Sequence, residues 1–344
     1  MSLHPGRLTE FDVLRSISIL LLLVHHSGFY GLELNGYSPG ALSPYLEAGL
    51  LGWFFLISGY FTERSLQKSQ GDLLDFFRSK FIKIYPPYLA AFALYIFILG
   101  VSLKKKFDVF VYLMGAQFIF SPSRAKPILT LWYVGAIVVY YLIFAILWKG
   151  SSSTKRLMYS SLAVFGAACL IHQFTTLIDE RFYKYYFVFL SGMLLARPGW
   201  FGEQLSAEYI RWKIGAAILG MSVFSFALYA RVEQFSLLYI FAAYVLIVPA
   251  FVLVYAFVVK YDIFFPVRLT SFISYSSFFV YLFHRPFWRI LENLLPVPGV
   301  EYQILFRMIP ASLAVIVLCY YLQLTYDLLL GAFIKQTRHV ISKV

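Results

Sequence analysis

Three ionisable side chains occupy a stretch of sequence where such groups are expensive. Arg15, His25 and His26 lie within the apolar run LRSISILLLLVHHSGFYG, residues 14–31. Charged and titratable residues inside a membrane helix mark functional positions by default. In a helix, the eleven steps from Arg15 to His26 turn through about 1100°, about 20° past three full turns. The two side chains therefore share a face, and His25 points about 80° away from Arg15. Along the axis the pair is about 16 Å apart, too far for contact. Either the two hold opposite ends of something long, or they serve unrelated purposes. In the second case Arg15 is a snorkelling anchor and His26 bonds a neighbouring helix. Asp12, three residues before Arg15, can pair with it. As chemistry, an imidazole titrating near neutrality is suited to take a proton from a hydroxyl.

Other positions offer chemistry with a plainer alternative beside it. Ser58 precedes Gly59 in the second apolar run and reads either as small-residue helix packing or as a hydroxyl at work. Trp132 and Tyr133 either belong to an interfacial aromatic belt or line a binding site. His284, just before Arg285-Pro286, is a second polar contact or a helix-end residue satisfied by carbonyls. His172 has no companion motif and reads as structural. Cys169 and Cys319 lie in separate apolar stretches, and their placement indicates neither a disulfide framework nor a metal site. No order of serine, histidine and acid points to a covalent intermediate.

The elements that must position these residues are membrane helices. The 344 residues are 60% hydrophobic and only 13% charged, with a mean hydropathy of +0.74. A soluble domain averages about 45–50% apolar and about 25% charged. Apolar runs of about 20 residues recur from end to end, and in hydrocarbon such runs must be helical. Nothing alternates with period two, which argues against a barrel. The first run lacks a small-residue cleavage site and reads as a retained span rather than a signal peptide. The net charge of +12 comes from lysines and arginines scattered in short loops, as membrane orientation requires, not from a nucleic-acid-binding patch.

Spans are expected at about 11–30, 45–63, 84–103, 129–148, 157–173, 183–197, 212–231, 236–259, 268–284 and 304–330. Segment 107–120 is short and ends at Ser121-Pro122. With ten spans and cytoplasmic termini, the basic residues fall with a clear excess inside; with an eleventh span at 107–120 the two sides are nearly equal. The expectation is therefore an all-α integral membrane protein of about ten transmembrane helices, eleven if 107–120 crosses. It forms a single transmembrane domain over 1–344, with no soluble accessory domain. Residues 62–83 read as a cytoplasmic loop carrying Arg64, Lys68, Arg78, Lys80 and Lys83. No internal repeat of the kind common in transporters is evident.

Five blocks, in order from about residue 8 to 330, resemble the acyltransferase-3 family of membrane acyltransferases. Arg15 and His26, with ten residues between them, resemble the family's hallmark. GWFFLISGYF (52–61) resembles its Phe-Phe-x-x-Ser-Gly-Phe block, and KFIKIYPPYL (80–89) its basic-x-x-basic-x-x-Pro stretch. LWYVGAIVVYYLIF (131–144) is similar to its Trp-led segment. ISYSSFFVYLFHRP (273–286) is similar to its late Tyr-Leu-x-His-x-Pro helix. Two departures stand out. Lys80 and Lys83 replace the usual arginines, which removes the bidentate fork. Ile137 and Val138 stand where one sugar O-acetylating branch has an acidic pair.

The resemblance implies O-acyl transfer at a multi-pass inner (plasma) membrane. The donor would be cytoplasmic acyl-CoA, acetyl-CoA before succinyl-CoA. The acceptor would be a hydroxyl of a carbohydrate or lipid-linked envelope molecule. No permanently bound cofactor and no metal are expected. Under this reading His26 is the general base and Arg15 marks the donor's cytoplasmic mouth. Lys80, Lys83 and Arg78 hold the phosphates, and His25, Ser58, Trp132, Tyr133 and His284 line the site. The rival reading is a proton-coupled transporter or flippase of envelope precursors, for which a polar line through the first helix would also serve.

Overall fold

The computed structural model describes residues 9–32, 39–103, 105–120, 125, 128–151, 153–175, 177–261 and 266–341, with side chains to residue 333. Both chain ends and Ser121-Pro122 lie outside them. Among the described residues the chain is helical, with no strand. It divides into two compact units, Met1–Ser43 with Phe265–Val344, and Pro44–Phe264.

Six helical stretches are long and apolar enough to cross a membrane: Pro39–Lys68, Trp132–Lys149, Thr154–Thr175, Ile210–Tyr229, Leu237–Tyr261 and Val300–Phe333. They coincide with six of the expected spans. The other four expected spans are also helices, but shorter or more polar: α1 (Thr9–His26), α3 (Leu73–Phe97), α8 (Arg181–Leu195) and α12 (Val267–Leu294). In α1 the cause is Glu10, Asp12 and Arg15, and in α12 it is a run of serines and tyrosines. Segment 107–120 is not one helix. It forms α4 (Lys106–Leu113) and a single turn, α5 (Gln117–Phe120), broken at Gly115, whose φ is +65°. Eight residues rise about 12 Å, well short of a hydrocarbon core of about 30 Å.

The expected cytoplasmic loop at 62–83 is mostly helix. Helix α2 (Ser43–Lys68) runs on to Lys68, and α3 starts at Leu73 because Asp72 caps it, accepting from the Leu74 and Asp75 amides at 2.8 and 3.3 Å. A capped start of this kind satisfies amides that otherwise have no partner. Arg64, Lys68, Arg78, Lys80 and Lys83 therefore sit on helices, and only residues 69–72 connect them.

In the first unit α1 packs on α12, which packs in turn on α14 (Ser312–Ile341). The contacts near the start of α1 fall near the start of α12, and the contact at the end of α1 falls further along α12. The Ser274 hydroxyl donates to Asp12 at 2.6 Å and the Ser16 hydroxyl to the Thr270 carbonyl at 2.9 Å, while further up both helices His26 meets His284. The pair is parallel. Beyond α12 the chain turns at Gly299, φ +87°, into α13 (Val300–Phe306) and a π turn at Arg307–Ala311. Pro310 lies in that turn, and its missing amide accounts for the widened turn. Arg307 pairs with Glu292 across the hairpin, and the Tyr275 hydroxyl donates to Asp327 at 2.5 Å.

The second unit holds α2 to α11, including α6 (Trp132–Lys149), α7 (Thr154–Thr175), the short α9 (Trp200–Glu203), α10 (Ile210–Tyr229) and α11 (Leu237–Tyr261). Its core is aromatic: Phe55, Phe118, Tyr140, Phe144, Phe182, Tyr185 and Tyr186 are fully buried. Helices α2 and α8 cross backbone to backbone. A side-chain carbon at Gly59 would lie 2.0 Å from the Phe189 carbonyl oxygen, and one at Gly192 would lie 2.0 Å from that of Leu56. Gly59→Ala or Gly192→Ala should therefore push the helices apart at a cost of about 1–3 kcal/mol. The check is the thermal midpoint in detergent, beside Gly49→Ala, where the added carbon meets nothing within 4 Å.

Candidate active site

His26 ends α1. The helix stops there because Gly28 adopts φ +90°, which only glycine takes without strain. The two adjacent histidines meet different neighbours. His25 packs against Tyr30, ring centroids 5.3 Å apart. His26 faces α12, its Nδ1 2.9 Å from Nε2 of His284, the two rings nearly parallel with centroids 5.0 Å apart.

The hydrogen bonds of His284 fix the tautomers of the pair. Its Nδ1 lies 3.0 Å from the carbonyl oxygens of both Val280 and Tyr281. Carbonyls only accept, so Nδ1 carries the proton and Nε2 of the neutral ring offers a lone pair. His26 must then donate from Nδ1, and its own lone pair stands on Nε2, the usual position of an imidazole base. His284 is fully buried and its ring meets Trp288 edge-on at 5.1 Å, so packing fixes the ring as well. Both ring nitrogens are engaged, and what His284 offers in this arrangement is orientation of its neighbour.

Arg15 is half-buried on α1, one helical turn after the buried Asp12, whose carboxylate accepts from Ser274. In the second unit, the basic residues of α3 differ among themselves. Lys80 is half-buried, its ammonium 5.3 Å from the Phe76 ring centre and 5.0 Å from that of Tyr141. Lys83 is exposed and, three residues on, shares its side of the helix; Arg78 is exposed and about 160° away from Lys80. The Ser58 hydroxyl lies 3.3 Å from that of Tyr133, one residue before the close crossing at Gly59. The open face of Trp132 is covered by the Arg181 guanidinium at 4.1 Å from the ring centre. Arg181 is in turn held by Asp179 through its Nε at 2.8 Å.

Three features fall outside the reading by segments. The His26–His284 contact joins residues 258 positions apart. The Arg181–Trp132 stack could have been suspected from Asp-x-Arg at the head of α8. The third is a buried ion pair: Arg197 donates to Glu63 from Nε at 2.9 Å and from Nη2 at 3.3 Å, and the Trp148 indole joins the same carboxylate at 2.9 Å.

Comparison with known families agrees with the five blocks. A family model described as an acyltransferase domain, that of acyltransferase-3, matches residues 8–324, nearly the whole chain, and takes in both helices of the histidine pair. No match was found among curated proteins or among solved structures. With its apolar helices and that match, the chain belongs to the acyltransferase-3 family, and it is a membrane acyltransferase.

Proposed function

We propose that this protein transfers an acetyl group from cytoplasmic acetyl-CoA to a hydroxyl of a carbohydrate-containing envelope acceptor, with His26 as general base, in the inner membrane. The observation that carries this reading is the oriented histidine pair. His284 holds His26 by Nδ1, so Nε2 is free to receive a proton. The acceptor oxygen attacks the thioester carbonyl as its proton passes to Nε2. The tetrahedral intermediate expels the thiolate, which takes that proton and leaves as CoA thiol. The ester and the thiol balance the alcohol and thioester consumed. While His26 is charged, its Nδ1–H bond to His284 becomes charge-assisted and strengthens.

His284 is a positioning residue in this scheme, and it provides the test. His284→Ala should lower kcat about a hundredfold with little change in the KM of acetyl-CoA. His284→Gln should recover part of the rate, because its side-chain oxygen can accept from Nδ1. Equal loss in both variants, or a loss confined to KM, would leave His26 without its orienting partner and refute the scheme.

Donor binding is assigned to Lys80 and Lys83, whose shared side of α3 suits a phosphate bearing several charges. The double change to Ala should raise the donor KM about tenfold or more, added salt should mimic it, and Arg78→Ala, on the far side of the helix, should do less. Initial rates at varied acetyl-CoA and ionic strength check this. Ten spans with cytoplasmic ends accompany the reading. The support is the parallel run of α1 and α12: seven crossings between them leave the two helices pointing the same way, whereas an eighth at 107–120 would reverse one.

A further inference from the structure

A groove of about 710 Å³ runs along the second unit, and the acyl-transfer scheme makes no use of it. It follows α8 from Tyr183 to Leu195, about 18 Å of helix, and α11 from Leu237 to Val252. Its walls are almost wholly apolar. Phe241 and Leu237 at its edge are 57% and 70% exposed, so the groove is open to the hydrocarbon along its side. One end is different in kind. There Lys213, in the first turn of α10, is only 8% exposed, and its ammonium donates to the Ser206 carbonyl at 2.5 Å. Trp200, Tyr209 and Trp212 surround that end, all largely exposed, as aromatic side chains are at a membrane–water interface. Lys184, the other cation of the lining, is paired with Glu47 at 3.0 Å. Among the described residues no carboxylate lies within 4 Å of Lys213, and none lines the groove.

We propose that this groove is a binding site for an anionic membrane lipid, its chain lying against α8 and α11 and its phosphate meeting Lys213. The argument is charge and shape together. No carboxylate among the described residues touches Lys213, Glu208 acting on it only from beyond ion-pair distance, so an anion that reaches the ammonium gains a charge-assisted contact, and the positive end of α10 adds to the same field. The apolar walls exclude a free phosphate as the natural occupant, because most of the site would stay empty. The interfacial aromatic ring around Lys213 sets the depth at which a headgroup sits. The inference is independent of the acyl-transfer scheme, since no residue of that scheme lines the groove.

The experiment uses the full chain in phosphatidylcholine nanodiscs doped with phosphatidylglycerol or phosphatidylcholine carrying the same diazirine-bearing acyl chain. After irradiation, labelled peptides are mapped by mass spectrometry. Labelling should concentrate on the α8 and α11 walls, and phosphatidylglycerol should exceed phosphatidylcholine about fivefold, the advantage expected of one lysine near a headgroup. Lys213→Gln should abolish that preference, and Lys213→Arg should keep it. Ala216→Trp, which fills the groove beside Lys213, should reduce labelling by both lipids and serves if the Gln variant fails to fold. Equal labelling by the two lipids, labelling spread evenly over all lipid-facing helices, or cross-links from these walls to a second copy of the chain would each overturn the proposal.

Discussion

Replacing His26 with Ala should lower acetyl transfer by about 10²–10⁴-fold, the usual contribution of a positioned base, while His25→Ala leaves the rate within about tenfold of the parent. The two residues are neighbours in sequence and equal in chemistry, so the contrast isolates geometry. His26 reaches across to His284 and is fixed by it, whereas His25 turns to Tyr30. Loss of His25 removes packing and a hydrogen-bonding group, worth about 0.6 kcal/mol in a membrane setting. Loss of His26 removes the base itself. The measurement is transfer of labelled acetyl from acetyl-CoA in membranes containing each variant at matched expression. Donor binding, followed separately by equilibrium exchange of labelled CoA, should be nearly unchanged in His26→Ala. It should be weakened in Arg15→Ala and partly restored in Arg15→Lys, since a lysine keeps the charge but loses the planar fork. A His26→Ala protein turning over near the parent rate would refute base catalysis by this residue. An inactive His25→Ala beside an active His26→Ala would move the role to the neighbour.

The helices were legible in the sequence because hydrocarbon leaves a chain no other way to satisfy its backbone. Six of the expected spans appear as long apolar helices. The helices that escape a plain hydropathy reading are the informative ones. Helix α1 carries Asp12, Arg15 and two histidines, and α12 carries the serines and His284 that answer them. Asp12 and His26 meet their partners Ser274 and His284 on the other helix, across more than 250 residues of sequence. Local pattern cannot state such a pairing. It gave the suspicion that His26 was special and left open whether His284 was a ligand contact or a helix-end residue. The loop at 62–83 was misread for a related reason. Its charges look solvated, but Asp72 caps α3 so early that the basic residues become helical and Lys80 lies against two aromatic rings. The apolar groove had no sequence signal beyond Lys213, because its walls use the same residues as any lipid-facing helix.

Removing either member of the Glu63–Arg197 pair should destabilise the second unit more than any surface change, by about 3–5 kcal/mol. The carboxylate is almost completely buried, at 2% side-chain exposure, and the guanidinium nearly so, at 12%. Glu63 collects four donors: Arg197 Nε and Nη2, the Trp148 indole and the Gln67 amide at 3.1 Å. Arg197 also reaches the Thr154 hydroxyl at 3.3 Å. One charge pair thus joins the ends of α2 and α6, the start of α7 and the chain leaving α8. Glu63→Ala strands a guanidinium and an indole N–H at once. Arg197→Ala strands a carboxylate that keeps two weaker neutral donors. The first loss leaves four donors without their acceptor and a buried positive charge, the second a buried negative charge, so the Ala variants should be similarly unstable. The double variant Glu63→Leu with Arg197→Met should recover much of the loss, because the cost lies in the unpaired charge rather than in the missing attraction. Thermal unfolding of the purified proteins in one detergent, read as a cycle of parent, two singles and double, measures the coupling. Additive losses, with the double worse than either single, would mean that the pair is a spectator and that the junction of these four helix ends is held by packing alone.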